Sequence, residues 1–163
     1  MRPQDIVILL KIVSFKEKQW LMKDLAYELS ISQSEISESL HRSMIAGLLA
    51  SDKRKLMKAS LKEFISYGLK YVYPQKPGAI VRGMATAIST PPLNEQFDSK
   101  EQFVWPWAKG QQRGQSIEPL HKAVPEACAR DIKLYEMLAL VDAIRIGKIR
   151  EQQIAIGELN KRI

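Results

Sequence analysis

The side chains of this chain best suited to chemistry crowd into one short stretch: Ser32, Gln33, Ser34, Ser37, His41 and Arg42. A glutamine amide donates and accepts side by side, a serine hydroxyl does either, and an arginine guanidinium forks onto paired oxygens. Spaced along one helix face, such groups match the edges of bases and the oxygens of phosphates. A few residues on, Lys53-Arg54-Lys55 concentrates three positive charges. All of these groups recognise and none of them transforms. The sequence has no phosphate loop, no nucleophile elbow, no histidine pair at metal-ligand spacing and no clustered carboxylates. No catalytic residue, metal site or cofactor is therefore expected, and the chain does not read as an enzyme.

Those residues need a scaffold, and the flanking sequence predicts one. Leu25, Ala26 and Leu29 lie at helical spacing in a helix of about 22–29. Ser30-Ile31-Ser32 makes a turn. Ser32 suits an N-cap, with Glu35 three residues later completing a capping box. A second helix of about 33–45 buries Ile36, Leu40 and Met44, and Gly47 ends it. Ahead of the pair, Pro3 and the apolar positions Ile6, Val7, Leu9, Leu10 and Val13 predict a helix of about 3–14. A polar break at 16–19 and a short strand at Trp20-Leu21 connect the two. After the pair, a small hairpin is expected at 48–59, with its charged loop at 52–55. A second capping box, Ser60 and Glu63, opens a helix of about 60–72.

The first sixty residues resemble the winged helix-turn-helix domains of bacterial transcription regulators, loosely the MarR-like group. The matching positions are Leu25, Ala26 and Leu29, then Ile31 at the turn, then Ile36 and Leu40. Ala26 is the small residue at which the helices cross, and Ile36, ten residues on, plugs the angle between them. Gly47-Leu48-Leu49 matches the passage from recognition helix to wing. Ser30 departs from the pattern, since many simple helix-turn-helix motifs have glycine there. The resemblance implies that the helix of 33–45 enters the major groove of double-stranded DNA. Ser32, Gln33, Ser34, Ser37, His41 and Arg42 would then meet bases and phosphates, with Lys53, Arg54 and Lys55 against the backbone. Glu35 is accounted for by the cap, whereas Glu38 opposes phosphate.

Composition sets bounds on the rest. The chain has 163 residues, a net charge of +7 and a pI of about 9.5, a balance that favours polyanionic partners. One cysteine, Cys128, excludes an intramolecular disulfide and a cysteine-based zinc site, and is expected to be a small buried residue at a helix start. The run Ile6 to Leu10 is too short for a signal peptide, and no stretch suits a membrane span, so a cytoplasmic location is expected.

Three segments are read: a winged helix-turn-helix domain at 1–73, a proline- and glycine-rich segment of loops and short strands at 74–125, and C-terminal helices at 126–163. The fold class is mainly α with small β content. The middle segment holds seven of the eight prolines. Its best strand candidates are Ala79-Ile80-Val81 and Phe103-Val104-Trp105. Arg82-Gly83 and Arg113-Gly114 echo one another and would form a second basic site, though glycine after arginine more often marks a turn. Trp105-Pro106-Trp107 could stack bases, but such a triplet more often pins a loop onto a core. In the last segment a helix over 130–146 is apolar on more than one face. Leu134, Leu138, Val141 and Ile144 are therefore assigned to a homodimer interface. The function expected is a sequence-specific, duplex-binding transcription regulator. The alternative is an adaptor or antitoxin-like protein whose main ligand is another protein, bound through 74–125 and the exposed-looking Trp105 and Trp107.

Overall fold

A computed structural model describes residues 1–16 and 18–163. Glu17, within the polar break read at 16–19, lies outside the described residues. The chain is mainly helical with one small sheet. Helix α1 (Pro3–Ser14) opens it, followed by α2 (Met22–Leu29) and α3 (Gln33–Ile45). Helix α4 (Lys58–Glu63) continues through a π-helical turn (Phe64–Gly68) into α5 (Leu69–Val72). Strands β1 (Ile80–Ala85), β2 (Phe103–Pro106) and β3 (Gln112–Ser116) come next, with single 3-10 turns at Ala87–Ser89 and Leu93–Glu95 between β1 and β2. Helices α6 (Val124–Cys128), α7 (Ile132–Ile146) and α8 (Ile149–Arg162) complete the chain.

Local chemistry starts most of the long helices. Asp5, Asp24 and Glu151 each reach back three residues to accept a backbone N–H, at 2.7, 2.8 and 2.7 Å, at the N-termini of α1, α2 and α8. These contacts satisfy donors that the first helical turn leaves unpaired. Asp131 caps α7 by accepting from the N–H groups of Lys133 and Leu134, and Ser32 caps α3 through the Glu35 N–H. Ser60 does not open a helix. Met57 is already the N-cap of α4 and the Leu61 N–H bonds the Met57 carbonyl, so Ser60 lies inside the first turn. Trp20 and Leu21 form no strand. Cys128 is buried, and it closes α6 instead of opening it.

In the sheet, β1 pairs antiparallel with both β2 and β3, while β2 and β3 pair in parallel, so the three strands close on themselves as a small barrel. So tight a closure needs glycine. A Cβ on Gly83 would collide with the Trp105 carbonyl, and one on Gly114 with the Gln102 carbonyl. The Arg-Gly echo therefore marks two facing strands and not two turns. Strand β3, Gln-Arg-Gly-Gln-Ser, has no apolar alternation, so its sequence alone does not predict a strand.

One continuous core runs from Ile6 to Ile163 and takes side chains from all three sequence segments. Helix α7 lies inside it, packed against α1, α5, α6, α8 and the 3-10 turn at Ala87–Ser89. This corrects the interface assignment. Leu134, Leu138, Val141 and Ile144 are 0–2% exposed within a single chain, so they offer no surface to a second subunit. The several apolar faces of α7 are all used within its own chain.

A buried ion pair joins α7 to the rest. Asp142 Oδ1 accepts from Arg145 Nη1 at 2.7 Å, and the two side chains are 2% and 5% exposed. Asp142 Oδ2 accepts from Thr86 Oγ1 at 2.8 Å and from the Trp105 indole N–H. Arg145 also donates to the Tyr73 and Glu118 carbonyls. Burial pushes the Asp142 carboxyl above its ordinary value, and the attraction of Arg145 together with these hydrogen bonds offsets only part of that rise. Arg145→Ala is expected to cost about 3–5 kcal/mol, because it strands a buried carboxylate. Adding Asp142→Asn should recover part of the loss, which urea unfolding of the three proteins would measure.

Candidate nucleic-acid interface

Helices α2 and α3 are joined by a turn whose hinge is Ser30, in the left-handed conformation at φ 53°. The Ile31 N–H returns to the Ala26 carbonyl at 3.1 Å. The position at which a glycine is usual is thus filled by a serine that adopts the glycine-like backbone. Ile36 and Leu40 are buried beneath the turn, and Ala26 and Met44 pack at the edge of the core. Ser39 and Ser43, both fully buried, form the face of α3 turned to α1, where their small side chains allow close packing.

This arrangement leaves Ser32, Gln33, Ser34, Ser37 and His41 exposed along the outer side of α3. Ser32 is partly committed to its cap and lies 3.1 Å from the Ser34 hydroxyl. Arg42 behaves differently from its neighbours. Its Nε and Nη2 donate to Asp5 Oδ2 and Oδ1 at 3.0 and 2.7 Å, a bidentate pair with a carboxylate that is fully buried. A third nitrogen, Nη1, lies 3.6 Å from Glu38. Arg42 therefore anchors α3 to α1 and is not free to read a base edge. In the same arrangement the charge of Glu38 is partly neutralised.

After Gly47, at φ 74°, the chain turns back through a bridge between Leu49 and Leu56. Asp52 Oδ1 shapes the loop between them by accepting from the N–H groups of Arg54 and Lys55. Those backbone hydrogen bonds lower the pKa of this exposed carboxyl. The three basic residues diverge. Lys53 lines a shallow groove of about 420 Å³ with Ser37, Glu38, His41 and Arg42. Lys55 points to solvent. Arg54 folds back, donating to the Trp20 carbonyl at 2.8 Å with its guanidinium 5.3 Å from the centre of the buried Trp20 ring. The groove thus unites Ser37, His41 and Lys53, while Arg42 serves as an internal fastener and Arg54, still exposed, leans back on Trp20.

Arg82 and Arg113 also come together. They are direct partners in the β1–β3 register, and both are exposed. Trp107 is half-buried, with Lys109 at 5.9 Å from its ring centre, and Lys109 pairs with Glu126. Trp105 is buried to 1% exposure against Tyr135, so the segment 74–125 does not present it to a partner.

Two residues near the site carry no sequence signal for their roles. Asp5 fixes the orientation of α3 from 37 residues away. His121, ahead of α6, lies near enough to Glu35 to feel its charge. Burial lowers the His121 pKa more than Glu35 raises it.

Among the described residues no cluster of three or more His, Cys, Asp or Glu side chains could hold a metal, and no helix is long and apolar enough to cross a membrane. No protein-family model matches the chain, and no curated protein or solved structure matches it.

Burial raises the Asp5 pKa, but the hydrogen bonds from Arg42 and from the Arg2 N–H, with the charge of Arg42, outweigh it and hold the carboxyl below its ordinary value. A depressed folded pKa contributes stability that is present above the unfolded value and lost as pH falls through the folded one. The wild type should therefore lose stability below about pH 4, with a shallower acid limb in Asp5→Asn. Arg42→Ala should cost about 3–5 kcal/mol at neutral pH by leaving Asp5 unpaired. Gln33→Ala, Ser37→Ala and His41→Ala should each stay within about 0.5 kcal/mol of wild type. Urea denaturation at pH 3, 5 and 7 separates the two groups of variants.

Proposed function

We propose that this protein is a duplex-DNA-binding regulator of the winged helix-turn-helix type, with α3 as its recognition helix and the loop at 52–55 as its wing. The observation that carries this proposal is the outer side of α3. Gln33, Ser37 and His41 are exposed there without a structural task, with Ser34 exposed beside the Ser32 cap, next to a groove that Lys53 enters from the following loop. Glutamine suits adenine, and the serine hydroxyls suit several base edges or phosphates. The N-terminus of α3 adds a partial positive charge and free N–H groups toward a phosphate. Lys53 and Lys55 supply the contacts to the backbone. Homodimer formation belongs to the same proposal, since paired recognition helices read two half-sites, and its interface lies outside the four buried side chains of α7.

Protein binding as the main activity has one observation in its favour. Tyr67 and Tyr71, one helical turn apart, are 71% and 74% exposed, more aromatic surface than a solvated helix face needs.

Fluorescence anisotropy with a labelled random duplex tests the proposal. Binding is expected at low salt, weakening as salt rises. Lys53→Ala with Lys55→Ala should lower the slope of log K against log salt by about two. Across a panel of labelled duplexes of different defined sequence, Gln33→Ala with His41→Ala should narrow the spread of affinities while leaving that slope nearly unchanged. Absence of duplex binding at low salt would exclude the regulator function and leave the adaptor.

A further inference from the structure

A second basic cleft lies away from α3. It has a volume of about 1060 Å³ and is formed where four distant parts of the chain converge. The end of α1 and the residues after it bring Lys16 and Lys18, the start of α4 brings Lys58, the first turn of α7 brings Lys133, and the last turn of α8 brings Lys161 and Arg162. Val13, Phe15 and Ile163 provide apolar wall. Six cationic side chains thus face one space.

Two carboxylates offset part of this charge. Glu158 pairs with Lys161 and Arg162 at 2.6 and 2.8 Å, and Glu136 pairs with Arg162 at 2.9 Å. Among the described residues, Lys16, Lys18, Lys58 and Lys133 have no carboxylate within ion-pair distance. Like charges gathered in a concave, partly apolar space repel one another, and field lines concentrate there. An anion bearing several charges relieves that repulsion more fully than a single carboxylate. The cleft has the volume of a small-molecule site, and its concavity suits a compact ligand better than the convex side of a duplex.

We propose that this cleft binds a small polyphosphate of the nucleoside-triphosphate class, with the phosphates held by Lys16, Lys58 and Lys133 and the remainder of the ligand against Val13 and Phe15. Contiguous phosphates are the shared chemistry, and inorganic tripolyphosphate is the other source of it. Duplex binding through α3 plays no part in this inference, so either can fail alone.

Isothermal titration calorimetry of the full chain tests it with three probes: ATP, tripolyphosphate and adenosine. ATP and tripolyphosphate are expected to bind, and adenosine is not. Tighter binding of ATP than of tripolyphosphate identifies the nucleotide as the source, and the reverse order identifies the inorganic chain. Lys58→Ala with Lys133→Ala should weaken binding at least tenfold, and both side chains are exposed, so the fold should be kept. Lys53→Ala with Lys55→Ala removes the same charge elsewhere and should leave binding within twofold. Equal losses in the two double variants would reduce the effect to general basicity and overturn the site. So would no binding of either phosphate probe at millimolar concentration, or a cleft variant that impairs duplex binding alone.

Discussion

The burial of α1 from Asp5 onward is the constraint on which the rest of the structure depends. Every residue from Asp5 to Ser14 is buried, and two of them, Asp5 and Lys11, carry charge. A charge so placed is costly unless it meets an opposite one. Asp5 meets Arg42 and thereby fixes α3. Lys11 Nζ lies 2.7 Å from Asp131 and 3.2 Å from Glu28, tying the start of α7 and the end of α2 to the same helix. Ser14 donates to Asp131 as well. Asp131 in turn caps α7, so one carboxylate serves a helix start and a tertiary contact together. Its pKa is raised by burial but is brought below the ordinary value by the hydrogen bonds from Lys11 and Ser14.

These pairs are better understood as setting position than as adding stability. A buried pair replaced by apolar residues of similar volume is often as stable. What apolar contacts alone do not give is a unique rotation of α3 about its own axis. The bidentate geometry of Arg42 on Asp5 sets that rotation and keeps Gln33, Ser37 and His41 outward. The Asp142–Arg145 pair does the same for the barrel, which reaches α7 through Thr86 and Trp105. The small sheet and the N-terminal helices are thus both registered against α7, and its burial follows.

Features set by near neighbours were legible in the sequence. The bounds of α2 and α3, the Ser32 cap and the Gly47 stop all depend on residues within one or two turns, and they stand where the pattern puts them. Lys11 inside an apolar run signals that a buried charge needs a partner, whereas Asp5, at the edge of that run, reads as an ordinary first-turn acid. Nothing in the pattern identifies Arg42 or Asp131, which lie 37 and 120 residues away. Strand β3 was hidden because Gln-Arg-Gly-Gln-Ser carries no alternation, and its place depends on two glycines that admit close backbones. The surplus apolar faces of α7 look the same from sequence whether a second subunit or the same chain covers them. Here α1, α5 and α8 arrive first.

The distribution of charge separates two tasks that net charge merges. On the α3 side, Arg42 and Arg54 are committed to Asp5 and Trp20, and Glu38 stands beside the groove. Lys53, Lys55 and the exposed outer side of Arg54 are what that side has left for phosphates. Hydrogen bonds from Gln33, Ser34, Ser37 and His41 would then carry more of any duplex contact than Coulomb attraction does, and such contacts discriminate among bases, which phosphate contacts do not. The denser charge lies in the cleft between α1, α4, α7 and α8. Lys133 there is two residues from Asp131, the carboxylate that holds Lys11 and caps α7. A multiply charged ligand on Lys133 would bear on the junction that aligns α1 with α7, and α1 also orients α3 through Asp5. The two basic regions are thus joined by one buried helix, with α6 and Arg130 giving a second link from α7 to α2.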